Sequence, residues 1–252
     1  MRGGPGLGTI QPSQADYFQA VKGGGHGDYR LIVLAPSSVQ EMADFVALGF
    51  DLAFKYRTPS MIIADGIIGQ MMEKVILPPY RPRRTNDEIR QQCPWATLGK
   101  PDNRERNVTT SLALEAEEME RTNLRLQAKY KEICENEVRF EAVNCDDADF
   151  VLIAFGSIAR VCMSAMEIGR KEGLKIGVLR PITLYPFPTL KIQELAKKAK
   201  GILTVELSAG QMVEDVRLAV NGSIPVEFYG RMGGVVPTPE EVLEQLKKQL
   251  VK

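Results

Sequence analysis

Residues 150–155 read FVLIAF, and they open the part of the chain that decides the fold. A short run of aliphatic and aromatic residues predicts a strand that is buried on both faces. After it, strand-like and helix-like stretches alternate without a break: helices at 157–172, 190–200, 211–220 and 239–251, and strands at 175–179, 202–205 and 226–229. Strict alternation predicts an α/β fold with a doubly wound parallel sheet and helices on both faces.

The loops at the carboxyl ends of these strands are the expected place for a ligand, because open parallel sheets bind ligands there. They carry Gly156-Ser157, Arg180-Pro181, Glu206-Leu207 and Gly230-Arg231. Residues 180–188 (RPITLYPFP) contain three prolines, which predict a rigid turn that positions the next helix. Residues 206–211 (ELSAGQ) open a helix whose free N–H groups could bind an anion, although a plain connecting loop is the simpler interpretation.

A smaller α/β block precedes this one. Residues 29–35 (YRLIVLA) predict a buried strand, and residues 60–64 (SMIIA) predict a second one. Between them, residues 39–56 have the apolar spacing of one helix face, and Ser38 and Glu41 have the spacing of a capping box. A strand, a helix and a strand in this order form a βαβ unit, so the two strands are expected to be parallel.

The two blocks are joined by a polar stretch. Residues 77–113 are rich in Pro, Gly and charge without periodicity, which predicts an extended connection over a surface. Residues 114–140 have the composition of a long exposed helix. The predicted division is a first domain at 1–76, a linker and connecting helix at 77–145, and a second domain at 146–252.

Bulk composition disfavours several classes of function. Lys+Arg and Asp+Glu both total 32, so no net field attracts nucleic acid or an anionic membrane. No apolar run reaches the roughly 18 residues that span a bilayer, and the glycine-rich start is unlike a signal peptide. The four cysteines, at 93, 134, 145 and 162, lack the close spacing of zinc or iron–sulfur ligands and predict free thiols. We therefore expect a cytoplasmic protein without nucleic-acid or membrane partners.

Three polar segments are candidates for chemistry. Residues 2–8 (RGGPGLG) set Arg2, a fork for a carboxylate or phosphate, beside glycines that let backbone approach a ligand, although a flexible terminus has the same pattern. In residues 23–28 (GGGHGD), His26 and Asp28 could anchor a substrate or donate a proton, or could simply form a turn. Asp65 and Gly66 end a strand, and without a second ligand at fixed spacing they predict a turn and no metal site.

Residues 2–44 (RGGPGLGTIQPSQADYFQAVKGGGHGDYRLIVLAPSSVQEMAD) closely resemble the alpha subunits of 2-oxoacid:ferredoxin oxidoreductases. The segments RPITLYPFP and VELSAGQMVEDVR resemble the second domain of that family, which is itself similar to the C-terminal domain of transketolase. The resemblance implies a partial thiamine-diphosphate pyrimidine-binding domain followed by a transketolase C-terminal-like doubly wound parallel-sheet domain. It is strongest for the branched-chain type, which acts on 3-methyl-2-oxobutanoate, with the 2-oxoglutarate and pyruvate types as alternatives.

The resemblance also implies a division of labour between chains. Thiamine diphosphate would be shared with a beta subunit that holds the diphosphate and Mg²⁺, in agreement with the lack of a Gly-Asp-Gly signature in this sequence. Iron–sulfur clusters would lie on partner subunits, ferredoxin would take the electrons, and CoA would take the acyl group. Arg2 would contact the substrate carboxylate. Gly3, Gly4, Gly6 and Gly8 would let backbone pass close to the substrate, and His26 and Asp28 would shape the pocket. No catalytic residue and no metal ligand is expected on this chain.

The resemblance further implies that the chain is truncated at its N-terminus. The family's first half-domain carries a glutamate that bonds the pyrimidine ring and a Tyr-Pro-Ile-Thr-Pro-type loop, and neither occurs in this sequence. We expect the isolated chain to be inactive and its first sheet to have an open edge or face. That half-domain would be loosely ordered or covered by a second copy in a homodimer. A non-catalytic assembly module is the alternative function.

Overall fold

Strands and helices alternate through both blocks of the computed structural model, which describes residues 1–100 and 102–251. The helices are α1 Tyr17–Val21, α2 Val39–Tyr56, α3 Gly66–Gln70, α4 Asn86–Gln92, α5 Ala116–Asn136, α6 Gly156–Lys171, α7 Thr189–Ala196, α8 Met212–Val220 and α9 Pro239–Leu250. The strands are β1 Ile32–Leu34, β2 Ser60–Ile62, β3 Phe140–Val143, β4 Phe150–Ile153, β5 Ile176–Pro181, β6 Thr183–Tyr185, β7 Gly201–Glu206 and β8 Val226–Gly230.

The second block forms a five-stranded sheet in the order β3-β5-β4-β7-β8. The strands β5, β4, β7 and β8 are parallel, with Phe150 opposite both Ile176 and Gly201. Successive residues of β4 point to opposite faces: Val151 and Ile153 enter the core beneath α7 and α8, whereas Leu152 enters the core beneath α6 and α9. The predicted doubly wound parallel sheet is therefore confirmed.

The edge strand β3 was not predicted. It pairs antiparallel with β5, with Phe140 opposite Pro181 and Val143 opposite Val178. It lies within residues 77–145, which the sequence analysis assigned to the linker and its helix. The first three residues of β3 are exposed. An exposed edge strand lacks the apolar alternation that marks a half-buried strand, so its sequence gave no signal.

The first block forms a three-stranded sheet in the order β2-β1-β6. The strands β1 and β2 are parallel, as the βαβ unit predicted, and α2 has the predicted bounds. The third strand is supplied by the second block, because β6 pairs antiparallel with β1. The expectation that residues 180–188 form only a turn was therefore wrong: after Pro181 the chain crosses over and completes the sheet of the other domain.

The faces of this first sheet are covered within the chain. All three residues of β1 are fully buried. Ile32 packs with α2 and α5, and Val33 joins a core that also contains Val151 and Phe155 of the second domain. The expected open face is therefore absent at β1, although β2 remains an edge strand of half-buried residues. One hydrophobic core runs through the domain boundary, so the two domains are packed as one unit.

The linker is more structured than predicted. A capping box formed by Thr85 and Glu88 starts the short helix α4, which lies in the stretch that was expected to be extended. The rest of the segment does lie on the surface, as the exposure of Leu77, Tyr80 and Val108 shows. In the described part of the chain, no helix is both long enough and apolar enough to cross a membrane.

Candidate functional site

The glycine-rich N-terminus forms an ordered loop, which we define as residues 2–12. Arg2 and Pro12 form an antiparallel bridge, and the Thr9 N–H donates to the Gly3 carbonyl at 2.8 Å. Gly8 has a φ of +56°, and a Cβ at that position would lie 1.9 Å from the Gly3 oxygen. No other residue fits there, so at least one glycine of the motif is required by the shape of the loop.

The loop lies at the carboxyl end of the first sheet. The ammonium group of Met1 donates to the Ala64 carbonyl, which follows β2. On the other side of the loop, the Thr9 hydroxyl donates to the Gly233 carbonyl at 3.3 Å. The loop is therefore held between the end of β2 and residues 231–235 of the second domain. It occupies the end of a parallel pair where open α/β sheets place their ligands.

The side chain of Arg2 is exposed and partly engaged with its own loop. Its Nη1 donates to the Leu7 carbonyl and, at 3.3 Å, to the Thr9 carbonyl. Within the described residues, its Nε and Nη2 have no hydrogen-bond acceptor, which leaves one edge of the guanidinium open to a carboxylate. Gly4 and Gly6 border open space, whereas Gly3 packs against Gly233. The loop therefore presents the arginine and two of its four glycines to the surroundings.

Gln14 anchors the base of this loop to the second domain. Its side-chain amide donates to the Phe155 carbonyl at 2.8 Å and accepts from the Leu207 N–H at 3.0 Å. Its own N–H donates to the Leu207 carbonyl at 2.8 Å, and the Ser13 hydroxyl donates to the same oxygen at 3.3 Å. Gln14 is fully buried and all of these groups are satisfied. The loop is thus fixed at its base to the ends of two strands.

Those two strands, β4 and β7, flank the point where the order of the second sheet reverses. Sheets of this type bind ligands in the crevice at that point, and the sequence analysis expected a ligand at these strand ends. In this structure the Gln14 side chain fills the crevice between the ends of β4 and β7. In the second domain, the crevice where sheets of this type bind a ligand therefore accommodates a side chain of the first domain. Sequence reasoning missed Gln14, because a single glutamine before a helix has no distinguishing pattern.

The N–H groups at the start of α8, after residues 206–211, are hydrogen-bonded by a carboxylate of the chain itself. Glu206 is fully buried, and its carboxylate accepts from the N–H groups of Gln211, Met212 and Val213 at 3.1, 3.0 and 2.9 Å, and from the Ser208 hydroxyl at 2.9 Å. The positive end of α8 is thus neutralised by the carboxylate of the preceding strand. The predicted anion site is filled by the chain itself, and the simpler interpretation as a connecting loop holds.

Arg180 forms an ion pair across the domain boundary. Its Nη1 and Nη2 donate to the two Glu41 carboxylate oxygens at 2.9 and 2.7 Å, and its Nε donates to Glu141 at 2.8 Å. Only 6% of the Arg180 side chain is exposed. Burial by itself would raise the pKa of Glu41, but the bonds and charge of Arg180, with two bonds from Ser37, lower it. Glu41 therefore completes this pair, and its carboxylate does not bond the N–H of Ser38 as a full capping box would require.

Asp65 has the structural role that its position predicted, with an addition. One carboxylate oxygen accepts from the N–H groups of Ile67 and Ile68 at 2.9 and 3.4 Å and so caps α3. The other accepts from the Ser157 N–H at the start of α6, at 3.1 Å. Asp65 is buried, so its charge is stabilised by two helix starts, one from each domain.

His26 and Asp28 lie elsewhere. They precede β1, whereas the loop of residues 2–12 lies beyond the carboxyl end of its parallel neighbour β2. His26 is exposed in a left-handed turn with a φ of +56°, and the Asp28 carbonyl accepts from Gln127 of α5 at 3.1 Å. The structure therefore does not bring these two residues into one pocket with Arg2, and the expectation that they shape that pocket is not supported by their placement.

The surface around Arg2 is unusually apolar. Leu7, Ile10 and Met72 are 90%, 73% and 97% exposed, and Met232 of the neighbouring loop is also exposed. Such a patch beside an open guanidinium suits a ligand that combines an apolar part with an anionic group. Among the described residues, His, Cys, Asp and Glu side chains form no group of three or more that could hold a metal ion.

These features define an α/β subunit whose glycine-rich loop is held at an exposed, apolar site between two interlocked domains. Two family models match the chain: "Pyruvate flavodoxin/ferredoxin oxidoreductase, thiamine diP-bdg" over residues 1–138 and "Pyruvate:ferredoxin oxidoreductase core domain II" over residues 148–242. The chain therefore belongs to the 2-oxoacid:ferredoxin oxidoreductase family, and its first domain belongs to the thiamine-diphosphate-binding domains.

Individual relatives agree with this placement. The ketoisovalerate oxidoreductase subunit VorB of Methanothermobacter thermautotrophicus is 48% identical over 250 residues, which are 98% of this chain and 68% of that protein. The 2-oxoglutarate synthase subunit KorA of Methanocaldococcus jannaschii is 34% identical over 265 residues, 96% of this chain and 70% of that protein. The solved 2-oxoglutarate:ferredoxin oxidoreductase from Magnetococcus marinus shares the fold, with a TM-score of 0.79 at 24% identity over 98% of this chain. This chain spans 47% of that structure's chain.

The subunit designation needs a correction. An alpha subunit was expected from the family resemblance, but the ketoisovalerate relatives at 47–48% identity are named as B subunits. More distant relatives carry the letter A, including KorA of Methanocaldococcus jannaschii and, at 25% identity, VorA of Pyrococcus abyssi. The designation alpha is therefore withdrawn, and the subunit is defined by its two matched domains.

Proposed function

We propose that this chain is the substrate-contacting subunit of an enzyme that oxidatively decarboxylates 3-methyl-2-oxobutanoate to an acyl-CoA and reduces ferredoxin. A partner subunit would hold the diphosphate and Mg²⁺ of the shared thiamine diphosphate, and iron–sulfur clusters would lie on further partner subunits. The chain would be inactive alone and would pair with a second copy in the assembled enzyme. When bound, thiamine diphosphate would supply the carbanion-stabilising chemistry.

One observation carries the proposal: a glycine-rich loop, anchored at both sides, holds an arginine with one open guanidinium edge at the carboxyl end of the first sheet. A planar fork binds a carboxylate through two parallel hydrogen bonds, and every 2-oxoacid has a carboxylate beside its reacting carbon. Because the loop is anchored by Gln14 and Thr9, Arg2 would orient this carboxylate without a large entropic loss. Its role is binding and orientation.

The branched-chain substrate has separate support. Identity to the two VorB subunits of ketoisovalerate oxidoreductases is 47–48%, against 31–34% to the KorA subunits of 2-oxoglutarate synthases, although the more distant VorA subunits are 25–26% identical. The exposed side chains of the loop itself include Leu7 and Ile10, which suit an aliphatic substrate better than the second carboxylate of 2-oxoglutarate. The measurement is kcat/KM of the assembled enzyme for 3-methyl-2-oxobutanoate, 2-oxoglutarate and pyruvate. A preference for either of the other two would overturn this assignment and leave the role of Arg2 intact.

The role of Arg2 is tested by Arg2→Lys in the enzyme assembled with its partner subunits. Lysine keeps the charge but cannot form two parallel bonds, so kcat/KM for the 2-oxoacid should fall about ten- to a hundredfold, as for a lost charge-assisted bond. Arg83→Lys, an equally conservative change at an exposed arginine of the linker, is the matched control and should leave kcat/KM unchanged. Wild-type kcat/KM in Arg2→Lys would refute the assignment.

An assembly module without a catalytic site is a second candidate. It is favoured by the engagement of Arg2 with its own loop, since the Leu7 and Thr9 carbonyls already occupy one of its nitrogens. Under this alternative, Arg2→Lys would loosen the loop and weaken subunit assembly, and gel filtration would show dissociation. Under the catalytic proposal, Arg2→Lys elutes as the wild-type complex and only the kinetics for the 2-oxoacid change.

A further inference from the structure

A second cleft lies between the two domains, far from the loop of residues 2–12. Its volume is about 720 Å³, and its walls come from α1, α5, α7 and the segment around β6. Arg30, which precedes β1, lines it, so the cleft opens at the amino end of β1. The Arg2 loop lies beyond the opposite end of this sheet, because β1 and β2 are parallel. The cleft is therefore separate from the site described above.

The inner wall of the cleft is apolar. Leu184 and Pro188 are buried, and Phe187 and Val138 are half-buried around them. On the outer wall, Leu190 is 82% exposed, although it lines the same cleft. A volume between about 300 and 1,000 Å³ with predominantly apolar walls is typical of sites for small organic molecules.

The charged side chains of the cleft are mainly basic. Four are basic, Lys22, Arg30, Lys131 and Lys191, and two are acidic, Glu135 and Asp215. Lys22 is paired with Asp215, Lys131 lies 4.0 Å from Glu135, and Lys191 is bonded to Glu194. Within the described residues, Arg30 has no carboxylate within 4.0 Å, and its one hydrogen bond goes from Nη1 to the Tyr29 carbonyl at 2.9 Å. Arg30 as a residue is half-buried, and its guanidinium is thus the cation that a ligand would neutralise.

We propose that this interdomain cleft binds a small organic anion with an apolar body, such as an aromatic or branched aliphatic carboxylate, and that Arg30 pairs with its charge. The apolar body lies against the inner wall around Leu184, and the negative group lies at the rim. Both domains supply walls, so the ligand also strengthens the contact between them. This site is independent of the proposed catalytic function.

The reactivity of the Cys134 thiol can report on ligand binding in the cleft. It lines the cleft and is the exposed one of the four cysteines, since Cys93, Cys145 and Cys162 are buried. Burial raises the pKa of Cys145 to about 11, and it also raises the pKa of Cys162. Thiol reagents act through the thiolate, so Cys134 should react first by a wide margin.

The experiment compares two reagents on the intact chain. 5,5′-Dithiobis(2-nitrobenzoate) is an aromatic dianion of the proposed ligand class, and 4,4′-dithiodipyridine is an uncharged aromatic disulfide. In both reactions the Cys134 thiolate attacks the reagent disulfide, forms a mixed disulfide and releases one aromatic thiolate or thione that absorbs light. The rate with the dianion should saturate as its concentration rises and should fall when unreactive 2-nitrobenzoate is added. The rate with the uncharged reagent should rise in proportion to concentration.

Arg30→Gln supplies the decisive comparison. The variant should lower the ratio of the two rates about fivefold, the factor expected for a half-exposed charge pair, and Arg30→Lys should restore most of it. The uncharged reagent corrects for any change in the thiol itself. Lys171→Gln, at an exposed lysine of α6, is the matched control and should leave the ratio unchanged. A dianion rate that does not saturate, or a ratio that Arg30→Gln leaves at the wild-type value, would overturn the proposal.

Discussion

Replacement of Arg180 by methionine should destabilise the folded chain more than the loss of any surface ion pair would. Arg180 is almost completely buried, and it holds Glu41 of the first domain by two bonds and Glu141 by one. Methionine fills a similar volume without charge or hydrogen bonds. The variant therefore leaves two carboxylates without their partner at the boundary between the domains.

The size of the effect depends on how well the Glu41 and Glu141 carboxylates are solvated or hydrogen-bonded once Arg180 is removed. Removing one partner of a buried ion pair costs about 3–5 kcal/mol. The Glu141 side chain is 47% exposed and can be rehydrated, and Glu41 keeps the N–H and hydroxyl of Ser37. We therefore expect the lower limit, about 3 kcal/mol. For a chain of this size, this corresponds to a fall in Tm of roughly 6–12 °C.

The assay is thermal unfolding followed by circular dichroism, with a double-mutant cycle. Arg180→Met combined with Glu41→Leu should recover about 2 kcal/mol of the loss, because the half-buried Glu41 carboxylate is then absent. The matched control is Arg81→Met, which removes an ion pair in which Nη1 of Arg81 donates to both carboxylate oxygens of Asp51. In that pair both side chains are about half exposed, so the change should be below about 1 kcal/mol. Equal effects of Arg180→Met and Arg81→Met, or strict additivity in the cycle, would refute the reasoning.

The Arg180–Glu41 pair makes the stability of the folded chain depend on pH in a direction that can be stated. The pKa of Glu41 is lowered in the folded chain, against burial, mainly by its hydrogen bonds with Arg180. The pair therefore contributes its full stability above the ordinary glutamate value of 4.5, and loses it as the pH falls from there through the lowered pKa. The difference in Tm between wild type and Glu41→Gln should be constant from pH 7 to pH 5 and should shrink below about pH 4.5. A difference that grows on acidification would contradict this sign.

Three further variants test the site and its supports. Gln14→Leu should lower the free energy of unfolding by about 2–4 kcal/mol in a urea titration, because it leaves two buried backbone groups without partners, and stability within 0.5 kcal/mol of wild type would contradict this. Asp65→Ala should cost about 1–2 kcal/mol by the same assay, since two helix starts lose their cap, and a value near zero would mean that water replaces the carboxylate. Gly8→Ala should raise KM for the 2-oxoacid in the assembled enzyme, because its Cβ would meet the Gly3 oxygen, and an unchanged KM would contradict this.

Much of the second domain could be predicted from the sequence, because its determinants are local. Residues 150–153 are buried on both faces and therefore read as a continuous apolar run. The helix α9 begins with Thr238, Pro239 and Glu241, whose capping signals are contained within four residues. In the first domain, α2 was predicted with its bounds for the same reason, since Ser38 marks its start and its apolar face has the period of a helix.

The contacts that join the domains could not be predicted, because each depends on residues distant in sequence. Arg180 lies 139 positions from Glu41, and Gln14 lies 141 positions from Phe155. Nothing local distinguishes a buried arginine from an exposed one in a segment with three prolines. For the same reason β6 was read as a turn, although it pairs with β1, with Tyr185 opposite Val33 and Thr183 opposite Leu34. Arg2 and the glycines became candidates because the segment resembles a family, and the resemblance gave no indication that His26 and Asp28 lie beyond the other end of the sheet.

The filled crevice of the second domain has a consequence for the division of roles between the two domains. In a free-standing doubly wound domain, the gap between the ends of β4 and β7 would be the natural ligand site. Here the Gln14 amide satisfies the Phe155 carbonyl and the Leu207 N–H, so those groups cannot also serve a ligand while the domains stay together. The residue that fills the gap lies two positions after the Arg2 loop. The second domain therefore acts on the candidate site through Gln14 at the base of this loop, and Gly233 adds a second contact near Thr9. This placement explains how a domain with its own ligand crevice filled can still determine how the loop that carries Arg2 is held.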